Sequence, residues 1–431
     1  MPGRGFGGGM AAPSAAGGIY APIPGLGNLL DGVYTDFTKG SLTGDRGGTW
    51  SPTRATATTS VDSSDLVVNI SSGAPRWHRI GAGSGVTGIA DWGAHTNIAL
   101  QSEDFGTTWA ALAATSPTRS AANATCGVVV LDLLGDDSAL LAEGYTQTIT
   151  FTGDAVKAVS IFVKGGTSAN SLIRLRDDTG VANRLLASIA WSGGVPTPTM
   201  TTGTHEGTDV LAGGVYRLRF VTTSVTAANT NRLEVYPASD GVIDVTAQGN
   251  ANFGGVMVQN ATSVFPYVKT TTAAVTVNAD VITLSGSGII NATEGTLWVE
   301  AVGPVDTAGT RAQFTVDDGT NNERVDISTS ASSAVASVVD GGGFTASVVS
   351  AAAAWTAGTS RKAAARYRLN DSNVALNGTA GTADTSCTMP TTTTFRLGLA
   401  NAGSEPNTVI KRVAYARTGA NDTNLGVSTA P

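Results

Sequence analysis

The residue types most often used for metal binding and nucleophilic catalysis are scarce in this chain. Its three histidines, His78, His95 and His205, lie in dissimilar contexts, and none has a cysteine or second histidine at a metal-binding spacing. The sequence contains no GxSxG turn of the kind that presents a catalytic serine. It therefore predicts no catalytic residue, no metal site and no cofactor.

Neighbouring acidic residues are the other groups that could do chemistry, because glycosidases use two carboxylates. The candidates are Asp177-Asp178, His205-Glu206 and Asp317-Asp318, and each lies in a setting typical of a hairpin turn. The last pair, with Asn321 and Asn322, also offers oxygen ligands of the kind that Ca²⁺ prefers. A solvated turn is the favoured interpretation in every case.

Exposed aromatic rings would indicate a sugar-binding surface, because the CH-rich faces of sugars stack on rings while nearby polar groups bond the hydroxyls. Trp109 and Trp298 lie within apolar patterns, which predicts that both are core residues. Tyr145 and Trp191 lie at the edges of loops. We take these two as the candidate ligand-binding residues.

Composition and charge restrict the classes of partner. The chain has 431 residues and a formal net charge of −7, which argues against a nucleic-acid partner because phosphate binding needs clustered Lys and Arg. No apolar stretch approaches 18 residues, so no membrane span is expected. The two cysteines, Cys126 and Cys387, are predicted to be small buried side chains without a disulfide.

The pattern of apolar residues predicts an all-β protein. Apolar and polar residues alternate in 159–164, in 216–221 and in 232–236, as in strands with one buried face. Turn dipeptides such as Asp240-Gly241 and Asn377-Gly378 follow such stretches. We expect tandem β-sandwich or jelly-roll modules.

The first 46 residues differ from the rest in composition. They are rich in Gly, Ala and Pro and contain few large apolar side chains, which are too sparse for a core of their own. We expect residues 1–46 to form an extended arm that attaches the protein to partner subunits and adds little to the fold of the modules. The attachment residues in this hypothesis are Phe6, Tyr20, Ile23, Leu26, Leu29 and Leu30.

Residues 96–109, TNIALQSEDFGTTW, resemble the opening of a carbohydrate-binding-like β-sandwich found in bacteriophage virion proteins. The preceding TRAT, VDSS and GAPRW stretches resemble the lead-in of the same proteins, and EGTLWVEA and RKAAARYRLNDSNVALNG resemble concanavalin A-like, laminin-G-type lectin domains. The resemblance implies four regions: the arm (1–46), a short β lead-in (47–96), a carbohydrate-binding-like sandwich (97–275) and a lectin-like sandwich (276–431).

The same resemblance implies a function. The chain would be a virion structural protein, a head or tail spike or fibre subunit, that binds glycans on the host surface without being an enzyme. Its partners would be other virion proteins and host polysaccharide. It would also be a homo-oligomer, and a trimer is the usual state of phage fibres. Two alternatives stay open: a capsid-decorating or tail-connecting protein without glycan binding, and a glycan-hydrolysing tail spike.

Overall fold

The computed structural model describes residues 23–26, 32–79, 86–112, 117–243, 246–303, 310–330, 333–349, 355, 358–400 and 405–431. In these residues the protein is all-β, which confirms the expectation from the alternating pattern. The only α-helix among them is α1 (Asp422–Thr429), near the C-terminus. None of their helices has the length and hydropathy that a membrane span requires.

The middle of the chain forms a sandwich of two six-stranded antiparallel sheets. Their strands are β8 (Ala110–Ala111), β9 (Thr118–Cys126), β10 (Val129–Asp136), β11 (Tyr145–Ile149), β12 (Ala158–Gly165), β13 (Asn170–Asp177), β14 (Ala182–Ser192), β15 (Val195–Thr202), β16 (Thr204–Val210), β17 (Tyr216–Val221), β18 (Asn231–Tyr236) and β19 (Gly249–Gln259). One sheet has the order β16-β17-β12-β19-β10-β9 and the other β15-β14-β13-β18-β11-β8. Phe105, Trp109, Phe220 and Phe253 lie in the core between them.

The second sandwich combines strands from both ends of the chain. Its N-terminal strands are β1 (Val33–Asp36), β2 (Ser51–Thr53), β5 (Arg76–Arg79) and β6 (Val86–Asp91). Its C-terminal strands are β21 (Val281–Ser285), β22 (Glu294–Val302), β23 (Arg311–Asp317), β24 (Arg324–Ser330), β25 (Ser333–Asp340), β26 (Gly343–Val349), β27 (Ser360–Arg368), β28 (Asn373–Leu376), β29 (Thr379–Ala380), β30 (Thr394–Leu397) and β31 (Thr408–Ala416). Two further pairs form separate two-stranded sheets: β3 (Thr58–Val61) with β4 (Val67–Ile70), and β7 (His95–Asn97) with β20 (Val275–Val277).

The expectation of a separate lead-in and an independent arm is wrong for the described residues. Strands β5 and β6 extend the sheet β29-β28-β27-β22-β31, β1 also pairs with β31, and β2 is the edge of the sheet β2-β21-β30-β23-β24-β25-β26. Phe37 and Trp50 are almost fully buried in the core between these two sheets, and the Trp50 indole N–H donates to Thr35 Oγ1 at 2.9 Å. Residues 32–53 are therefore part of the second sandwich.

The chain leaves this sandwich and returns to it at one point. Strand β7, before the middle sandwich, pairs antiparallel with β20, after it, and Asn97 lies opposite Val275. The middle sandwich is thus an insertion between two neighbouring strands.

The stretch around QSEDF ties the beginning of the middle sandwich to its end. Asn97 Nδ2 donates to the carbonyls of Val256 and Val268, at 2.9 and 2.8 Å. The Glu103 carboxylate accepts from the Tyr267 hydroxyl at 2.8 Å and from Lys269 at 2.6 Å. Asn97 and Glu103 are therefore structural, because their polar atoms bond groups at the other end of the middle sandwich.

A third apolar core fills the space between the middle sandwich and the β3–β4 hairpin. The turn between β9 and β10 is Gly127-Val128, and the Val128 N–H donates to the Val67 carbonyl at 2.8 Å. Gly127 has φ +62°, and a Cβ at this position would lie 2.0 Å from the Val67 oxygen. Only glycine fits this contact, which fixes the hairpin against the outer face of the middle sandwich.

Candidate functional site

A cleft of about 620 Å³ lies where the middle sandwich meets the second sandwich. Strands β16 and β17 line one side of it, and β5 lines the other together with Val302 and Val409 of the second sandwich. Rings of Trp92, Phe162, Phe265 and Tyr267 contribute further lining. The volume lies in the range of small-ligand pockets, and such pockets often form between domains.

The arginines of the first wall follow from strand alternation. In β17, Leu218 and Phe220 point into the sandwich core, so Arg217 and Arg219 lie on the outer face of the sheet, toward the cleft. Arg219 pairs with Asp209 at 3.3 Å on the neighbouring β16.

Arg217 is the more buried of the two, at 9 % exposure. Its Nη2 donates to the Phe265 carbonyl at 2.7 Å and to Ser160 Oγ at 2.9 Å. Its guanidinium also lies 5.6 Å from the centre of the Phe162 ring. These contacts hold the guanidinium at the cleft in one orientation.

The second wall carries Arg76 and His78, which are two residues apart and so lie on the same face of β5. Arg76 is 2 % exposed, and its Nη2 lies 3.0 Å from Asp280 Oδ2. The same carboxylate also pairs with Arg54 at 2.6 Å, so one carboxylate serves two guanidinium groups. His78 Nδ1 lies 2.7 Å from Thr87 Oγ1.

The rings around the cleft are held by contacts with one another. Trp92 meets Phe265 edge-on at 5.6 Å, and His95 stacks on the same phenyl ring at 5.2 Å. Tyr267 meets Phe162 edge-on, also at 5.2 Å. The cleft therefore has a rigid aromatic lining beside its arginines.

Burial dominates the titration of these groups. It lowers the pKa of Arg76 and of Arg217 to about 10, so both stay charged at neutral pH. Burial also lowers the pKa of His78, and that of His95 to about 4, so His95 is neutral at physiological pH. The pKa of Asp91, which lies beside this cluster, is raised well above its usual range, first by burial and then by Asp280 and Glu405.

A second cavity, of about 360 Å³, lies beside the QSEDF stretch. Its charged groups are already paired with one another, because Arg119 bonds Asp132 at 2.7 Å and Asp104 at 2.5 Å. Glu103 is similarly engaged by Lys269. We therefore take the larger cleft as the candidate site.

Neither aromatic residue chosen from the sequence lies at this cleft. Tyr145 is 7 % exposed, its ring packs 5.8 Å from Phe105, and its hydroxyl donates to the Pro117 carbonyl. It is a core residue, so the prediction of an exposed platform at Tyr145 is wrong. Trp191 is half-buried at the end of β14, in the sheet on the far side from the cleft, and its indole N–H donates to Ser171 Oγ at 2.9 Å.

Two of the six residues proposed for virion attachment are buried within this chain. Ile23 and Leu26 are 7 % and 8 % exposed and pack with Trp298 and Leu425, on the outer face of the sheet that contains β22. Their assignment to partner subunits is wrong, because this chain already buries them. The other four, Phe6, Tyr20, Leu29 and Leu30, lie outside the described residues.

Two of the carboxylates singled out from the sequence, Asp177 and Asp317, hold buried groups. Asp177 is fully buried rather than solvated. Burial acts to raise its pKa, but hydrogen bonds from Arg184, the Gly180 N–H and Asn229 lower the pKa to about 2. Asp317 is also buried and pairs with Arg396 at 2.7 Å.

No group of three or more His, Cys, Asp or Glu side chains that could hold a metal ion occurs in the part of the chain that the structure describes. Asp318, in the candidate Ca²⁺ turn, accepts from the Thr320 N–H at 2.8 Å, and Asn321 Oδ1 accepts from the Ala400 N–H at 3.1 Å. These oxygens hold the backbone of the turn.

The fold and the cleft define a protein of two β-sandwiches with a basic, ring-lined pocket at their junction. No protein-family model matches the sequence, and no curated protein matches it either. Among solved structures, the chain is similar to the mouse laminin alpha1 chain, domains LG4-5, with 12 % identity, 72 % of this chain and 93 % of that chain covered, and a TM-score of 0.22.

A Trypanosoma rangeli sialidase in complex with the inhibitor DANA is also similar, with 8 % identity and a TM-score of 0.25. The alignment covers 72 % of this chain and about half, 52 %, of the sialidase. Because both TM-scores are far below 0.5, neither likeness informs the position or role of any residue.

Proposed function

We propose that this chain is a structural protein of a bacteriophage particle, a head or tail spike or fibre subunit, and that it binds host-surface glycan in the junction cleft. The cleft carries the binding part of the proposal, because rigid rings and polar side chains converge there in a volume suited to one or two sugar residues. The phage part rests on the resemblance of the QSEDF stretch and its lead-in to virion proteins.

We further propose that binding occurs without cleavage of the glycan. Two aspartates line the cleft, and one of them, Asp209, is committed to an ion pair with Arg219, at 3.3 Å. A glycosidase needs one carboxylic acid and one free carboxylate on either side of the scissile bond.

A glycan array with the full chain tests the binding proposal. Thr208, in β16, lines the cleft, so Thr208→Trp should fill part of the cleft and lower the array signal at least tenfold. The matched control is Thr204→Trp, at the exposed start of the same strand, which should bind as wild type does. Equal binding by the two variants would place the sugar site elsewhere.

Two further measurements separate the alternative functions. Release of reducing sugar from purified host polysaccharide by the chain alone would favour a glycan-hydrolysing tail spike. Immunogold labelling of purified particles tests the virion location, and labelled particles without any array signal would favour a decorating or connecting protein. Deletion of residues 2–22, which precede the buried Ile23, should remove the protein from particles if that stretch is the anchor.

A further inference from the structure

The buried guanidinium of Arg217 makes no ion pair with a described carboxylate, and Asp209, opposite it on β16, pairs with Arg219 instead. No described carboxylate lies within 4 Å of it, and its hydrogen bonds go to a hydroxyl and a carbonyl. Those bonds use Nε and Nη2, so the two N–H groups of Nη1 bond no described residue. A buried cation is stable in a protein when an anion compensates it. The cleft in front of Arg217 is where such an anion can bind.

The opposite wall shows the same shortage of negative charge. Nε and Nη1 of Arg76 are buried without a hydrogen-bond partner, and its one ion pair is with the carboxylate that also serves Arg54. Among the described residues, four arginines but only two aspartates line the cleft, in a chain whose net charge is −7. The lining side chains therefore carry more positive than negative charge, and Asp280, 3.0 Å from Arg76, and Glu206, 4.0 Å from Arg219, offset part of it from behind.

We propose that the cleft binds the carboxylate of an acidic sugar residue, with Arg217 as its main charged contact and Arg76 on the opposite wall. This inference rests on the proposed glycan binding and names the class of glycan. A guanidinium offers parallel N–H groups that match the two oxygens of a carboxylate. The rings of Trp92 and Phe265 beside it provide an apolar surface for the CH face of the same sugar.

The test uses the full chain on an array of neutral, uronate-bearing, nonulosonate-bearing and sulfated oligosaccharides, followed by calorimetry with the best ligand. We expect a carboxylated sugar to bind best and Arg217→Gln to weaken it at least tenfold, while Arg217→Lys retains part of the affinity. Arg176→Gln is the control, because Arg176 is in the sheet away from the cleft and pairs with Asp178 at 3.0 Å. It should bind as wild type does.

Arg217 also supports the Phe265 backbone, so a loss of binding in its variants can result from a changed fold. A second variant therefore tests the charge of the cleft separately. Arg219→Glu reverses a charge on the same wall at a side chain that is 25 % exposed, and it should weaken the carboxylated sugar at least fivefold. Unchanged affinity in both variants would overturn the proposal, as would equal binding of sulfated and carboxylated sugars. Neutral sugars that bind best in the cleft would overturn it while keeping the proposed function, whereas no saccharide binding at all would overturn both.

Discussion

Replacing Asp280 by Asn should destabilise the junction more than any substitution of a surface charge. The carboxylate of Asp280 pairs with Arg54 at 2.6 Å and with Arg76 at 3.0 Å, and it accepts a hydrogen bond from the backbone N–H of Trp92 at 3.1 Å. Both arginine side chains are 1 % exposed, so Asp280→Asn leaves two cations buried without their shared anion. The cost of such a change is about 3–5 kcal/mol. With an m-value of about 3 kcal/mol/M, the urea midpoint should fall by about 1–2 M.

The assay is urea unfolding followed by tryptophan fluorescence and by far-UV circular dichroism. Lys39→Met is the control, because Lys39 is 53 % exposed and its pair with Asp45 is worth about 0–1 kcal/mol, a shift below about 0.3 M. The triple variant Arg54→Met, Arg76→Met, Asp280→Leu should recover much of the loss, because it removes the charges together. A midpoint for Asp280→Asn within the range of the control would refute the reasoning.

Three further predictions concern other buried groups. Phe37→Ala should lower the free energy of unfolding by about 3–5 kcal/mol, because Phe37 is 0 % exposed in the second sandwich. Leu140→Ala, at an 80 % exposed side chain, is the control. Equal urea midpoints for the two variants would show that residues 32–46 do not contribute to the second sandwich. The folded-state pKa of Asp91 is raised, so its contribution to stability is largest below the unfolded pKa and is lost as pH rises through the folded value. Asp91→Asn should therefore be more stable than wild type at pH 8, with the difference vanishing near pH 4 in a melting series; an unchanged difference across that range would contradict the assignment. Burial raises the pKa of both Cys126 and Cys387, so neither thiol should react with a disulfide reagent until urea unfolds the chain, and rapid labelling of the native protein would count against their burial.

Alternation along the strands was enough to predict the fold class. The pattern in β17 places Leu218 and Phe220 on one face, and the structure buries both in the core of the middle sandwich. The same alternation places Arg217 on the outer face, but the sequence does not say what covers that face. The second wall of the cleft comes from β5, far away in the chain, so the site depends on a packing that no local pattern encodes.

The misassigned residues share a physical reason. Tyr145 has turn residues on one side, which suggested an exposed ring, yet its strand pairs with β18 and its ring is in the core. Val33 and Phe37 follow a glycine-rich stretch, which suggested an arm. Val33 nevertheless pairs with Tyr415 of β31, and Phe37 is buried in the core of the second sandwich. In both cases a partner distant in sequence determined the burial, and composition carries no information about such partners.

The pairing of β7 with β20 has a consequence for how the protein is made. Strands β1, β2, β5 and β6 leave the ribosome early, but the partners they need, β21 and β31, are synthesised only after the whole middle sandwich. During synthesis the middle sandwich has all of its own strands and can close first, while β1, β2, β5 and β6 wait for their C-terminal partners. Such distant pairings make closure of the second sandwich the slow step. A nascent chain stalled before residue 408 would therefore hold a finished middle module between two halves of an unfinished one.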